Sequence, residues 1–144
     1  MKTSGYKFFD HTADIAIHIW AENFENLFSI AGKGVIKAIF TNFRKKSGIL
    51  KTVKLSSFSQ ETLLTGFLSE INYLAVNNQL VFVQITNIKI LNDADDLSLI
   101  ADCIFYDNKE LKFYPQKEVK AITLSNFEII YTNNKCECRI IFDI

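Results

Sequence analysis

Two carboxylates, a histidine and a hydroxyl lie close together near the start of the chain, in the segment Asp10-His11-Thr12-Ala13-Asp14. An alternating apolar stretch, typical of a strand, begins directly afterwards at Ile15. Side chains at a strand end are held by a rigid scaffold, which is where binding and catalytic groups often lie. Aspartate and threonine also bond to nearby backbone N–H groups, so a simple turn is the alternative. The segment alone leaves both interpretations open.

A second acidic group lies near the other end of the sequence. Even-numbered residues from Cys136 to Ile144 alternate onto one apolar face of a predicted strand, which places Asp143 on the more polar face. Asp143 stands directly before Ile144, whose α-carboxylate would be a second anionic oxygen group. Calcium and magnesium prefer carboxylate and carbonyl oxygens, so these groups predict a hard-cation site. The alternative is a frayed strand end with a solvated aspartate.

The three cysteines are expected to be reduced, and two of them are expected to be structural. Cys136 and Cys138 share the predicted face of Ile140 and Phe142, which is typical of small buried hydrophobic residues. A zinc site needs about four ligands, and Cys103 with two distant histidines could supply them only by chance of folding. An odd number of cysteines without a secretion signal indicates reduced thiols in the cytosol.

The overall composition disfavours several classes of protein. With 144 residues, of which 49% are hydrophobic, the chain can form one well-packed core, and we expect a single domain spanning 1–144. The formal net charge is zero, with only a short Arg44-Lys45-Lys46 run, which disfavours autonomous nucleic-acid binding. The first residues lack an apolar signal region, and no stretch approaches the ~18 apolar residues of a membrane span. We therefore expect a cytoplasmic protein without membrane contact.

Two segments show helical periodicity. In 24–39 and in 63–75, apolar residues recur at intervals of three and four, which places them on one helix face. Ser57 followed by Gln60 predicts a capping box at the start of the second helix. Asn77-Asn78 predicts its end.

Most of the other segments alternate with the period of strands. They are 14–22, 49–55, 80–91, 97–106, 118–124, 127–131 and 136–144. The alternation changes phase within 80–91, which predicts a bulge near Asn87, and 92–96 is typical of a turn. The order is strand, helix, strand, helix and then five strands, which indicates an α+β fold. We expect a mostly antiparallel sheet of about seven strands with two helices packed on one face.

Four separated segments resemble one family, the archeases. The chain has D-H-T-A-D-I at 10–15, where archeases open with D-H-T-A-D. It has L-L-T-G-F-L-S-E-I-N-Y-L at 63–74, similar to the archease helix L-L-x-x-F-L-S-E-x-x-Y-L. E-V-K-A-I-T at 118–123 and F-D-I at 142–144 are similar to the archease E-V-K-A-x-T strand and D-I ending. The order and spacing agree from about Tyr6 onward, so the resemblance covers nearly the whole chain and implies an archease-like fold.

The resemblance implies an accessory function in RNA ligation. Archeases assist the RtcB-type GTP-dependent RNA ligase, which joins a 2′,3′-cyclic phosphate or 3′-phosphate end to a 5′-hydroxyl in tRNA splicing and RNA repair. They promote guanylylation of the ligase histidine and allow the ligase to turn over repeatedly. The expected partner is therefore an RtcB-type ligase, and RNA is contacted only through that ligase. The archease itself is expected to perform no covalent chemistry.

The resemblance also implies a divalent metal, usually calcium. Carried over onto this chain, the ligands are Asp14, Asp143 and the C-terminal residue Ile144. Calcium takes about six to eight oxygens, so these residues would leave positions for water or for a partner.

Further residues are assigned roles in ligase activation by the same resemblance. They are Lys120, which matches the family lysine, together with Asp10 and His11. On its predicted strand, Lys120 lies on the face opposite Val119 and Ala121.

Two other classes of function are compatible with the same residues. A small metal-dependent phosphoesterase would use Asp14 and Asp143 in catalysis, and a nucleic-acid chaperone would bind RNA by itself. Incubating the protein with GTP and RNA in the absence of ligase separates these alternatives. Turnover would indicate the enzyme, and RNA binding with a steep salt dependence would indicate the chaperone.

Overall fold

The structure is a computed structural model that describes residues 3–10, 14–40, 48–108 and 118–144. Within these residues the chain forms two helices, eight strands and a short 3-10 turn at Ser125–Phe127. In chain order the elements are β1 (Gly5–Asp10), β2 (Asp14–Ala21), α1 (Phe24–Ile39), β3 (Gly48–Ser57), α2 (Gln60–Asn77), β4 (Leu80–Asp93), β5 (Asp96–Asp107), β6 (Ala121–Leu124), β7 (Ile130–Thr132) and β8 (Lys135–Asp143).

The described strands form two antiparallel sheets. The first has the order β1-β2-β8-β6, with β7 also paired to β8, and the second has the order β3-β5-β4. The predicted α+β class is confirmed, with eight strands where about seven were expected. The division into two sheets follows from pairings between distant segments, which local periodicity does not specify.

Helix α1 begins and ends where its sequence predicts. The side chain of Asn23 accepts a hydrogen bond from the backbone N–H of Asn26 at 2.9 Å, which satisfies one of the free donors of the first turn. Phe40 then adopts an extended conformation and stops the helix. The buried face of α1 packs against α2 and against β2 and β4, so this helix contacts strands of both sheets.

The N-terminal cap of α2 differs from the prediction. Ser59, rather than Ser57, accepts the backbone N–H of Thr62 at 3.1 Å, and the Thr62 hydroxyl accepts the backbone N–H of Ser59. The predicted pairing of Ser57 with Gln60 was therefore wrong, because the cap lies two residues later, at Ser59. The predicted end is confirmed, since the N–H of Asn78 bonds to the carbonyl of Leu74.

A ladder of aromatic rings joins both helices to the three-stranded sheet. Phe28 of α1, Phe67 of α2, Phe82 of β4 and Phe105 of β5 are all buried. Successive ring centroids lie 5.4, 6.1 and 5.9 Å apart with edge-to-face geometry, an arrangement that aromatic pairs prefer.

Neither helix of the described chain is long and apolar enough to cross a membrane.

The hairpin of β4 and β5 confirms the predicted irregularity. Its register shifts between Ile85 and Asn87, where a bulge was expected, and again between Phe82 and Gln84. The turn between β4 and β5 is shorter than the predicted range 92–96, because Asp93 and Asp96 still pair across the strands.

All three cysteines are buried and free, and the burial of Cys136 and Cys138 confirms the prediction from their strand face. Cys103, Cys136 and Cys138 lie in the core. Burial disfavours the thiolate and raises the pKa of Cys103 and Cys138 to about 12, and it also raises the pKa of Cys136. These thiols therefore behave as small hydrophobic groups.

Candidate functional site

Four of the predicted site residues lie at the same end of the five-stranded sheet. Asp14 is the first residue of β2 and Asp143 is the last residue of β8. Asp10 is the last residue of β1, and Lys120 directly precedes β6. Neighbouring strands in this sheet are antiparallel, so the starts of β2 and β6 lie beside the ends of β1 and β8.

Asp14 and Asp143 are direct partners across the β2–β8 ladder. Residues opposite each other in an antiparallel pair point to the same face and have Cβ atoms about 4.5–5.5 Å apart. Asp14 is half-buried and Asp143 is exposed. The ladder therefore holds two carboxylates from opposite ends of the chain side by side at the surface.

The main chain of Lys120 is hydrogen-bonded to Asp143 at the same end of the sheet. Its backbone N–H donates to the carbonyl oxygen of Asp143 at 2.7 Å, while the next residue, Ala121, pairs with Asp143 in the strand register. Two consecutive residues thus oppose one, as in a β-bulge. Lys120 and Ala121 are both exposed between the buried Val119 and Ile122. The expectation that Ala121 shares the face of Val119 was wrong, because the alternation slips at this point.

Helix α2 supports the segment that carries Lys120. The side-chain N–H of Asn72 donates to the carbonyl of Val119 at 3.3 Å. The other polar atom of this side chain, Oδ1, is buried without a hydrogen-bond partner among the described residues. Sequence reasoning missed Asn72, although an asparagine between the apolar Ile71 and Leu74 of a helix is a usable signal of a buried polar contact.

The remaining predicted site residues are only partly described. Ile144 follows Asp143 and is 37% exposed, so its side chain is not buried with Phe142 as expected. Asp10 lies opposite Ile15 in the β1–β2 register. The side chain of Asp10 and the whole of His11 lie outside the described residues.

The paired carboxylates fit a hard divalent cation by their chemistry. They supply anionic oxygens, which calcium and magnesium prefer, and they leave room for further oxygen ligands. Among the side chains that the structure describes, no group of three or more His, Cys, Asp or Glu residues is arranged to hold a metal. Any ion here would therefore need further ligands beyond these two.

His18 belongs to a separate polar cluster. Its Nε2 lies 3.3 Å from Glu137 Oε1, and Lys135 Nζ lies 3.0 Å from Glu137 Oε2. The hydrogen bond from Lys135, followed by the contact with His18, holds the pKa of Glu137 below its usual value. The His18 ring also packs on Trp20 with centroids 5.2 Å apart. These contacts give His18 partners within the fold, and it lies about 13 Å along β2 from Asp14 at about 3.3 Å per residue.

Comparisons with known proteins agree on one family. The model of the Archease protein family (MTH1598/TM1083) matches residues 6–144. The protein archease of Methanosarcina barkeri is 28% identical over 141 residues, covering 96% of this chain and 95% of that protein. The protein archease of Methanosarcina mazei is 26% identical over 144 residues, covering 96% and 95%.

Two solved structures share the fold. The solution structure of protein 1598 from Methanobacterium thermoautotrophicum has a TM-score of 0.75 at 23% identity, covering 97% of this chain and 99% of that one. The crystal structure of an archease from Thermotoga maritima, described as a "possible chaperone", has a TM-score of 0.57 at 17% identity, covering 96% of each chain. At these identities the likeness supports the fold, while the family model spans nearly the whole sequence. The chain therefore belongs to the archease family.

Proposed function

We propose that this protein is a non-catalytic accessory factor of an RtcB-type GTP-dependent RNA ligase. In this role it promotes guanylylation of the ligase histidine and lets the ligase turn over repeatedly in tRNA splicing or RNA repair. Membership of the archease family supports the proposal. The formal net charge of zero agrees with a protein that contacts RNA only through its partner.

The observation that carries the proposal is the pairing of Asp14 with Asp143 beside Lys120. The first two residues would bind a divalent metal, which we propose is calcium, together with the α-carboxylate of Ile144. A bound ion would supply a positive charge that attracts phosphate or carboxylate oxygens of a partner. The β2–β8 ladder keeps the two carboxylates at a fixed separation, so the chain itself needs little reorganisation to bind the ion.

Lys120 contributes a cation that is independent of the metal. Its side chain is exposed, whereas its backbone N–H is held by Asp143. A lysine ammonium is a compact charge that binds phosphate or carboxylate oxygens, and here it would contact the ligase or its nucleotide. We propose that Asp10 and His11 also act in ligase activation; of these, Asp10 ends β1 next to the start of β2.

The decisive experiment is a single-turnover guanylylation assay with purified RtcB-type ligase and GTP. We expect the rate to rise when the protein is added with calcium, and we expect no nucleotide or RNA turnover by the protein alone. The variant Asp143→Asn should abolish the stimulation. Asp95→Asn, which changes an exposed aspartate in the β4–β5 turn, is the matched control and should stimulate normally.

The other two classes of function give different results in the same assay. Hydrolysis of GTP or RNA without ligase, lost in Asp143→Asn, would indicate a metal-dependent phosphoesterase instead. Direct RNA binding with a steep salt dependence, without any effect on guanylylation, would indicate a nucleic-acid chaperone. Either outcome would contradict the accessory role.

A further inference from the structure

An open groove of about 630 Å³ runs between β3 and α2. Its β3 side is lined by seven consecutive residues, 51–57, and its helix side by Thr62, Gly66 and Glu70. Alternate residues of a strand point to opposite faces, so a groove lined by every residue in turn follows the edge of the strand. The groove therefore exposes the main chain of β3 rather than one of its faces.

The edge of β3 that borders the groove is not part of the sheet ladder. Within the described residues, β3 pairs only with β5, along its whole length of ten residues. An unpaired strand edge presents a row of backbone N–H and C=O groups that can pair with another extended segment. Proteins use such edges to bind peptides as an added strand.

The helix wall of the groove carries a glycine at its centre. Thr62, Gly66 and Glu70 are spaced four residues apart, so they lie along one face of α2. Gly66 has no side chain in the middle of this wall, and a Cβ placed there would lie 3.4 Å from Leu55 Cδ1. The Leu55 side chain therefore packs close to Gly66, and a long side chain at this position would have to extend into the groove.

The charge of the β3 edge indicates the kind of segment that would fit. Lys51 and Lys54 line the groove and are exposed. Neither lysine forms an ion pair with a described residue. Glu70 is the single acidic residue among the described residues that line the groove. We propose that this groove binds an extended, acidic segment of a partner protein, which adds to the sheet as a strand alongside β3.

Two other occupants fit the groove less well. Proteins that bind single-stranded nucleic acid stack its bases on aromatic side chains, and none of the described residues that line the groove is aromatic. A second copy of the chain, paired through the same edge, would bring the Lys51 and Lys54 side chains towards their own equivalents. Like charges opposite each other destabilise a strand pair.

The test uses ¹⁵N-labelled protein and a capped heptapeptide in which acidic residues alternate with valine. We expect the peptide to shift the amide signals of 51–57 and of the helix wall, and to slow hydrogen exchange at alternate amides of β3. An analogue with the same charges, but with every backbone nitrogen methylated, should bind at least about tenfold more weakly, because neither of its edges can donate hydrogen bonds to β3. Neither probe requires ligase or metal, so binding here is tested separately from the carboxylate pair.

Matched variants identify the groove as the binding site. Gly66→Gln should fill its centre and reduce peptide affinity by at least about tenfold, whereas Gly66→Ala should leave affinity nearly unchanged. Lys54→Glu should reduce affinity about fivefold through loss of one exposed charge pair, and Lys89→Glu on β4 should not.

Several outcomes would overturn the proposal. They are equal binding of the methylated analogue, signal shifts confined to other elements, and no binding at millimolar peptide. A single-stranded RNA oligonucleotide that shifts the same amides, when the acidic peptide does not, would assign the groove to nucleic acid instead.

Discussion

The two aspartates at the sheet end carry an electrostatic cost. Asp14 and Asp143 are directly opposed on neighbouring strands, where like charges destabilise a sheet. A cation between them would convert this repulsion into binding energy, and the adjacent Lys120 would partly offset it in the absence of metal. The same geometry therefore predicts that loss of one carboxylate affects binding more than folding.

Replacing Asp14 with asparagine tests this directly. We expect calcium affinity to fall by at least about tenfold, since ligand charge strongly tunes calcium sites. Without metal, the free energy of unfolding should change by less than about 0.5 kcal/mol or should rise, because a repulsive pair is removed. Titration calorimetry and urea unfolding measure the two effects, with Asp95→Asn as control. Unchanged calcium affinity in Asp14→Asn would exclude Asp14 as a ligand.

Lys120→Ala should separate ligase activation from metal binding. The backbone bond from Lys120 to Asp143 does not need the side chain, so the strand arrangement and calcium affinity should persist. The guanylylation rate should fall, because the exposed ammonium is lost. Lys89→Ala on β4 is the matched control. If Lys120→Ala stimulates the ligase as well as the unchanged protein does, Lys120 is an ordinary solvated lysine.

At the scale of elements, two helical glycines should respond in opposite directions to alanine. Glycine in a helix interior usually costs about 0.5–1 kcal/mol relative to alanine, so Gly66→Ala should stabilise the protein by about that amount. A Cβ at Gly32 would lie 2.6 Å from the buried ring of Phe82, which Phe67 and Phe105 hold in place. Gly32→Ala should therefore destabilise the protein by about 1–2 kcal/mol through overpacking. Urea unfolding midpoints show whether each variant is more or less stable than the unchanged protein. Stabilisation by Gly32→Ala would contradict the packing described for α1.

The cap of α2 provides a second comparison within one element. Ser59→Ala should destabilise the protein by about 1 kcal/mol, because the N–H of Thr62 loses its acceptor. Ser57→Ala should cost less, about 0.5 kcal/mol, because the Ser57 hydroxyl bonds only to the Thr62 hydroxyl. Thermal unfolding of the two variants under the same conditions decides the order. A larger loss in Ser57→Ala would place the cap two residues earlier, as the sequence alone suggested.

At the scale of the whole molecule, β8 is both the last strand in sequence and a central strand of its sheet. It pairs with β2 on one side and with β6 and β7 on the other. The C-terminal end of β8 therefore lies beside the starts of β2 and β6. The proposed site depends on this arrangement, because no single hairpin contains its residues.

Adding Gly-Ser after Ile144 tests the proposed role of the α-carboxylate. The extension converts this group to a neutral amide and carries the new carboxylate up to ~7 Å away, at ~3.3–3.6 Å per residue. We expect calcium affinity and ligase stimulation to fall, while stability hardly changes because the Ile144 side chain is already 37% exposed. The same two residues added at the other terminus serve as control. Unchanged calcium affinity would leave Asp14 and Asp143 as the proposed ligands from the described chain.

Much of the local structure could be predicted from the sequence. Apolar spacing located both helices, and alternation placed Cys136, Cys138 and Phe142 on the buried face of β8. Asp14 and Asp143 were selected from their positions at strand ends and from the archease resemblance. These features depend on residues near each other in the chain, which is why periodicity and motifs reveal them.

Only the tertiary structure decided which distant residues meet. Alternation shows the face on which Asp14 lies, but it does not show that Asp143 lies opposite. The contact of Asn72 with Val119, the slip at Lys120 and the open edge of β3 were likewise absent from the sequence pattern. Strand pairing joins segments far apart in the chain, and its register is set by the packing of both sheets on the helices. The candidate site and the groove are therefore properties of the folded molecule, although their residues can be read in the sequence.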